Sequence, residues 1–367
     1  MEDALLTAND LNGAPSERSS STAPSDVIQG IHYIRGLAAL IVLIHHASGY
    51  LMLLRGYDEI HKFIPLFGRY GVEMFFAISG YLMATILPRQ SASDFMTRRI
   101  LRIYPIFLLV TVIVVLQPVW PRPLNVPSLI LAPIGERSAN TLGVEWTLVL
   151  EMGFYVALFG VSLAGLRGHV EILASIWLAI LLWHAFTIGE IGPQSTTIVN
   201  FFLAPANIAF AIGLLLPRIL GFEKASKILL LTGLISMVVA HLVPLSIVRA
   251  VVAISSACIV GWMTSVDRLP FIIDATLSKL ADWSYSLYLC HVPVIVICYN
   301  AMPNVSMPVL FIAGIASSLA VTALIGPIET HLHNFSRSAT RRLPLWFKAV
   351  FSTVVTVMYL GIGIYFL

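Results

Sequence analysis

In the segment RGLAALIVLIHH, residues 35–46, Arg35 and His46 stand eleven positions apart. At 100° per residue eleven steps come to about 1100°, within roughly 20° of three full turns, so the two share a helix face while His45 points about 80° away. The run is apolar and, with its neighbours, long enough to span a bilayer, where ionisable side chains are costly and mark function by default. A second pattern is TRRILRIYP, which gathers Arg98, Arg99 and Arg102. Arg99 and Arg102, three apart, lie on one face; two guanidinium forks so placed can clamp a multiply charged phosphate, or serve only as topology markers. Carboxylates follow at Glu73 in GVEMFFAISGYL and at Glu145 and Glu151 in VEWTLVLEMGFY, and SYSLYLCHVP carries Tyr285, Tyr288 and His291.

The elements that position these residues are membrane helices. Of 367 residues 58% are hydrophobic and 11% charged, and the mean hydropathy is +0.87; a soluble domain carries roughly twice that charged fraction. Cys258, Cys290 and Cys298 all sit in apolar runs, so neither a disulfide framework nor a metal cluster is implied. Residues 1–30, rich in Ser, Ala, Pro and Asp with no apolar h-region, are expected to form a disordered tail and not a signal peptide. About eleven spans follow, at 31–54, 69–87, 101–119, 145–166, 170–188, 197–217, 227–243, 246–265, 283–301, 306–327 and 346–367. A cytoplasmic N-terminus puts the basic segments PRQSASDFMTRRILR, RILGFEKASK and RSATRRLPLWFK inside and leaves Arg55, Lys62, Arg69, Arg122 and Arg137 on the other side, as the positive-inside rule asks.

Depth follows from that topology. Arg35 falls near the cytoplasmic end of the first span, and His46, about 16 Å further along, falls in the outer half. Glu73 and Glu151 enter from outside, which puts His46, Glu73 and Glu151 at similar depth on three helices. Glu73, close to the interface, suits a helix-locking role as well as a functional one; the deeper Glu151 favours function. His45 is expected only to bond a neighbouring helix. His291, near mid-membrane, either lines a passage or bonds across a packed interface.

The blocks R-x10-H, YGVEMFFAISGYLM, RRILRIYP, EWTLVLEMGFY and SYSLYLCHVP, in that order, resemble the signature blocks of the acyltransferase type 3 family of integral membrane proteins, and the fourth is similar in form to that of exopolysaccharide acetyltransferases. The likeness runs from about residue 30 to about 330. It implies an all-α bundle of about ten core transmembrane helices, set in a bacterial inner membrane with the N-terminus cytoplasmic. It further implies transfer of an acyl group, usually acetyl, from cytoplasmic acyl-CoA to a hydroxyl of a glycan or lipid-linked sugar. Arg35, His46, Arg99 and Arg102 are the functional positions carried over. The chain departs from the family where GPIETHLHNF has Glu329 without the usual Glu-x-Pro, and in an additional eleventh helix expected at 346–367.

On this likeness the chain divides into a cytoplasmic tail at 1–30, a transmembrane acyltransferase domain at 31–330, and a basic cytoplasmic loop with an additional helix at 331–367. A neutral imidazole suits removal of the acceptor proton, so His46 is the expected general base, with Glu151 first and Glu73 second as the carboxylate that orients it. The charged CoA phosphates should stay at the cytoplasmic mouth against Arg99 and Arg102, with Arg35 on the path inward and Tyr288 and His291 completing the donor site. The expected partners are acetyl-CoA or another acyl-CoA, the acceptor and the bilayer, with no metal and no nucleic acid. A proton-coupled exporter or flippase would also use intramembrane His and Glu and is the alternative; a nonenzymatic assembly subunit would leave the Arg-to-His face without purpose.

Overall fold

A computed structural model describes residues 28–56, 66–135, 141–188 and 196–366; most of the expected tail, together with Lys62 and Arg137, lies outside the described residues. Among the described residues the chain is all α. Its helices are α1 Gln29–Leu54, α2 Phe67–Ile86, α3 Ala92–Leu116, α4 Trp146–Leu163, α5 Val170–Thr187, α6 Asn207–Ile219, α7 Ala225–Val239, α8 Leu245–Met263, α9 Phe271–Asp282, α10 Ser284–Ala301, α11 Met307–Arg342 and α12 Leu345–Tyr365. Nine of these are long and apolar enough to cross a bilayer, and α6 and α7 are shorter apolar helices. A helix is the required form, because hydrocarbon offers no partner to an unpaired backbone group. The chain is a multi-pass helical bundle.

Helix α1 packs against α2, α9, α10 and α11. Small residues allow the close crossings that membrane bundles use. At the contact of α2 and α6, a Cβ on Gly80 would stand 2.2 Å from the carbonyl oxygen of Phe210, and one on Gly213 would stand 2.4 Å from that of Ala77.

Three elements differ from the sequence expectation. The sixth span, expected at 197–217, is helical only from Asn207; before it the chain makes a turn in which Asn200 Oδ1 accepts from the Thr197 N–H at 2.6 Å, and Pro205 disfavours helix at Ala204. The segment DRLPFIIDATLSK, which falls between the spans expected at 246–265 and 283–301, contains α9, which starts after Pro270 and is fastened to α1 by Tyr33 OH donating to Asp274 Oδ1 at 2.9 Å. The basic segment read as a loop from residue 331 instead continues α11 as helix through Arg342. Nothing breaks it until Pro344, which holds Leu343 extended at ψ 135°.

The added helix α12 packs against α3. Its buried Lys348 donates to Asp94 Oδ1 at 2.7 Å, and Tyr359 OH donates to the Val149 carbonyl on α4 at 3.4 Å. Asp94 belongs to the first turn of α3, where Ser91 caps the helix by accepting from the Asp94 N–H at 3.1 Å. The start of the arginine-bearing helix is therefore fixed twice.

Candidate functional site

A cavity of about 400 Å³ lies among α1, α2, α3, α4, α10 and α11. Five arginines line it: Arg35 from α1, Arg98, Arg99 and Arg102 from α3, and Arg337 from the far end of α11. The carboxylate in its lining is Glu151. On α2 the cavity face is Val72, Phe75, Phe76 and Ser79, at helical spacing, and on α4 it is Thr147, Leu148, Glu151 and Tyr155. Of the sequence candidates, Arg35, Arg99, Arg102, Glu151 and Tyr288 are thus brought to one space.

Their charges are organised around Glu151. Tyr155 OH donates to Glu151 Oε1, and the Arg99 guanidinium lies 6.0 Å from the centre of the Tyr155 ring. Arg35 has Glu151 and Glu329 as attracting neighbours and Arg102 as a repelling one. Glu329 in turn accepts from the Ser286 N–H at 2.9 Å and from the Ser286 hydroxyl at 2.6 Å, tying α11 to α10 beside Arg35. The Nε atoms of Arg98 and Arg99 are buried with no hydrogen-bond partner among the described residues. Buried donors of a charged group want acceptors, and an anionic ligand supplies them.

The histidines form a separate pair. His291 Nε2 is 3.2 Å from His46 Nδ1, and the ring centres are 4.9 Å apart. Each Nδ1 also faces a backbone carbonyl one turn back on its own helix, His46 that of Val42 at 3.0 Å and His291 that of Leu287 at 3.0 Å. A carbonyl only accepts, which assigns a proton to both Nδ1 atoms. His291 Nε2 is then an acceptor for His46 Nδ1–H, and the lone pair of the neutral His46 ring is on Nε2. His291 is 1% exposed and His46 half-buried.

The pair adjoins the cavity through Tyr288. That ring lines the cavity, lies 5.7 Å from the His291 ring, and holds its hydroxyl 2.6 Å from Thr147 Oγ1, itself a lining residue. His291, expected in the donor site, is against His46 instead. Glu151, expected first as the group orienting His46, faces the arginines and Tyr155; the side chain against His46 is His291.

Glu73 is elsewhere. Its Oε1 is 3.0 Å from Arg249 Nε on α8, with the two side chains 0% and 6% exposed, and the Arg249 guanidinium lies 5.5 Å from the centre of the Trp146 ring. One position beyond Val72 turns a side chain by 100°, which carries Glu73 off the cavity face of α2. Of its two expected roles the helix-locking one fits this geometry. His45 packs on α2, where a Cβ on Gly68 would meet its ring at 2.3 Å.

The sequence reading missed Tyr155, Arg249 and the outer residues of α11. His333, Ser336, Arg337 and Thr340 follow i, i+3, i+4, i+7 spacing, a helical signal in a segment whose polarity suggested a loop.

Residues 28–326 match the family model described as Acyltransferase domain. The chain belongs to the acyltransferase type 3 family. It is a membrane acyltransferase, and its site must receive an acyl donor and an acceptor. No curated protein and no solved structure matches the chain. The five arginines and the histidine pair of this acyltransferase lie on the two sides of Tyr288, an arrangement suited to holding a charged donor at one end and moving a proton at the other.

Proposed function

We propose that the protein is an O-acetyltransferase of the bacterial inner membrane, with its N-terminus cytoplasmic, that moves the acetyl group of acetyl-CoA to a hydroxyl of a glycan or lipid-linked sugar. The observation that carries this reading is the cavity that joins an arginine cluster to Tyr288, behind which His46 and His291 are paired. The CoA phosphates bind Arg98, Arg99 and Arg102, and the pantetheine arm passes Arg35 and Glu151 with the thioester leading. Multiply charged phosphate stays at the mouth because burying it without counter-charge is costly.

His46 Nε2 takes the proton of the acceptor hydroxyl as its oxygen bonds to the acyl carbon. The C–S bond then breaks, and the same proton passes to the departing sulfur, so ester and CoA thiol are the products. His291 Nε2 stabilises the imidazolium formed on His46 by accepting from its Nδ1–H. Arg35 polarises the acyl carbonyl.

Purified protein incubated with [14C]acetyl-CoA and membrane glycan extract tests the reading. The expected result is label in an alkali-labile ester of a glycan or lipid-linked sugar, lost in His46→Ala and retained in His45→Ala. Transport of a glycan across vesicles with no label transferred would return the reading to an exporter, and equal activity of His46→Ala and the parent would remove the base.

A further inference from the structure

The last part of α11, residues 327–342, lies beyond residue 326, where the family match ends, yet it forms part of the cavity wall. His333, Ser336, Arg337 and Thr340 all line the cavity, and their spacing puts them on one face. Helix α11 packs directly on α3, so this face stands across the cavity mouth from Arg98, Arg99 and Arg102. The charged neighbours of His333 are Arg102, Arg99, Arg337 and Arg35, all of one sign. Thr340 is buried at 1% exposure and donates to the Ser336 carbonyl at 2.6 Å, keeping the stripe helical to its end. Arg337, also in the lining, is exposed.

A wall of guanidinium groups around two buried, unpartnered Nε donors calls for a ligand with more than one centre of negative charge. An acyl-CoA has two: a diphosphate within its chain and a phosphomonoester on the ribose at its far end. Arg102, a charged neighbour of Arg35, and Arg99, against the Tyr155 ring, match the diphosphate that leads to the thioester arm. Arg98, nearer the start of α3, and Arg337 on the opposite helix remain for the terminal monoester, which carries a charge of about −1.5 to −2 at neutral pH. We propose that the helical extension of α11 reads the ribose phosphomonoester of the donor, with Arg337 and Arg98 as its clamp. The inference rests on the acyl-CoA reading above and adds the part of the donor that these residues recognise.

The test is calorimetric titration of the full-length protein, in nanodiscs of neutral lipid, with CoA and with 3′-dephospho-CoA, on the parent, Arg337→Ala and Arg337→Lys. The parent should bind CoA about tenfold or more tighter than dephospho-CoA. Arg337→Ala should bring that ratio toward one while leaving dephospho-CoA affinity in place, and Arg337→Lys should restore part of it. In transfer assays the KM for acetyl-CoA should rise in Arg337→Ala with kcat kept. A parent that binds both compounds equally, or an Arg337→Ala variant that weakens both equally, overturns the proposal and leaves the donor reading standing. A parent that binds neither removes the donor reading and the proposal with it. The same titrations with phosphatidylglycerol in the nanodiscs separate the other source of a phosphate: if Arg337→Ala changes only retention of that lipid, the face holds a headgroup and the proposal is overturned.

Discussion

Replacing His291 tests the proton-handling end of the site. In His291→Leu the ring that accepts from His46 Nδ1–H at 3.2 Å is gone, while the Val42 carbonyl at 3.0 Å remains. The tautomer of His46 is therefore kept, and the loss should stay below the roughly 10⁴-fold of an imidazole forced into the wrong tautomer. What disappears is a hydrogen bond whose donor becomes charged as His46 takes the acceptor proton, worth about 1.5 to 3 kcal/mol. At about 1.4 kcal/mol per tenfold that is a fall in kcat of about ten- to a hundredfold. The KM for acetyl-CoA should stay within about twofold, because His291 lies outside the cavity lining. His291→Gln keeps an acceptor oxygen in a side chain of similar size and should recover part of the loss. The assay is steady-state transfer of labelled acetyl to the acceptor, with thermal melting of each variant to confirm folding. A His291→Leu variant that keeps kcat and raises the donor KM would refute the reasoning and return His291 to the donor site. Equal loss in the Gln and Leu variants would show that packing, not acceptance of a proton, is what the position supplies.

At the other end, Arg99→Ala or Arg102→Ala removes a charge-assisted contact to phosphate and should weaken CoA binding by about ten- to a hundredfold in calorimetric titration, while His46→Ala binds CoA as the parent does. Glu73→Gln leaves Arg249 charged in a site where both side chains are nearly inaccessible, so it should lower stability by about 3 to 5 kcal/mol, read as an early thermal transition. The paired change Glu73→Met with Arg249→Met should recover most of that loss; failure to recover would show that the pair does more than lock α2 to α8. Gly80→Ala should lower the thermal transition and leave donor affinity per folded molecule unchanged, since its Cβ would strike the Phe210 carbonyl away from the cavity lining.

What the sequence makes legible here is periodicity within one helix. That Arg99 and Arg102 share one face of α3, both in the cavity lining, follows from their spacing, because a membrane helix has one geometry and 100° per residue carries across the whole span. Rotation between helices is not in that arithmetic. Glu73 and Glu151 lie at similar depth, yet Glu73 turns to Arg249 and Glu151 to Tyr155, and a depth estimate has no means of separating them. The contact of His46 with His291 spans 245 positions and depends on how α1 and α10 pack, which neither helix encodes alone. The outer part of α11 was hidden for a different reason. Hydropathy marks where a helix leaves the bilayer and says nothing of whether it stops, and the termination signal is Pro344, well past the last apolar run. The false start at 197 is the converse: apolar residues continue, but Asn200 and Pro205 bend the backbone before the helix begins.

These placements also give the added helix α12 a physical role. A cavity walled by five arginines repels itself when empty, and the helix carrying three of them needs support from outside the cavity. Lys348 supplies it. Its ammonium pairs with Asp94, one turn before Arg98 on α3, and its carbonyl accepts from Thr97 Oγ1 at 3.5 Å, so α12 grips the start of α3 on both sides of that turn. The pair is sheltered, with Lys348 7% and Asp94 23% exposed, which keeps it stronger than a surface contact without the full cost of burying two charges. The cap at Ser91 and the ion pair at Asp94 then fix the axial position of Arg98, Arg99 and Arg102 relative to Arg337, which sits on α11 only a few residues before the turn into α12. One continuous stretch, from the outer face of α11 through Pro344 to Lys348, thus both completes the charged mouth and braces the helix opposite it.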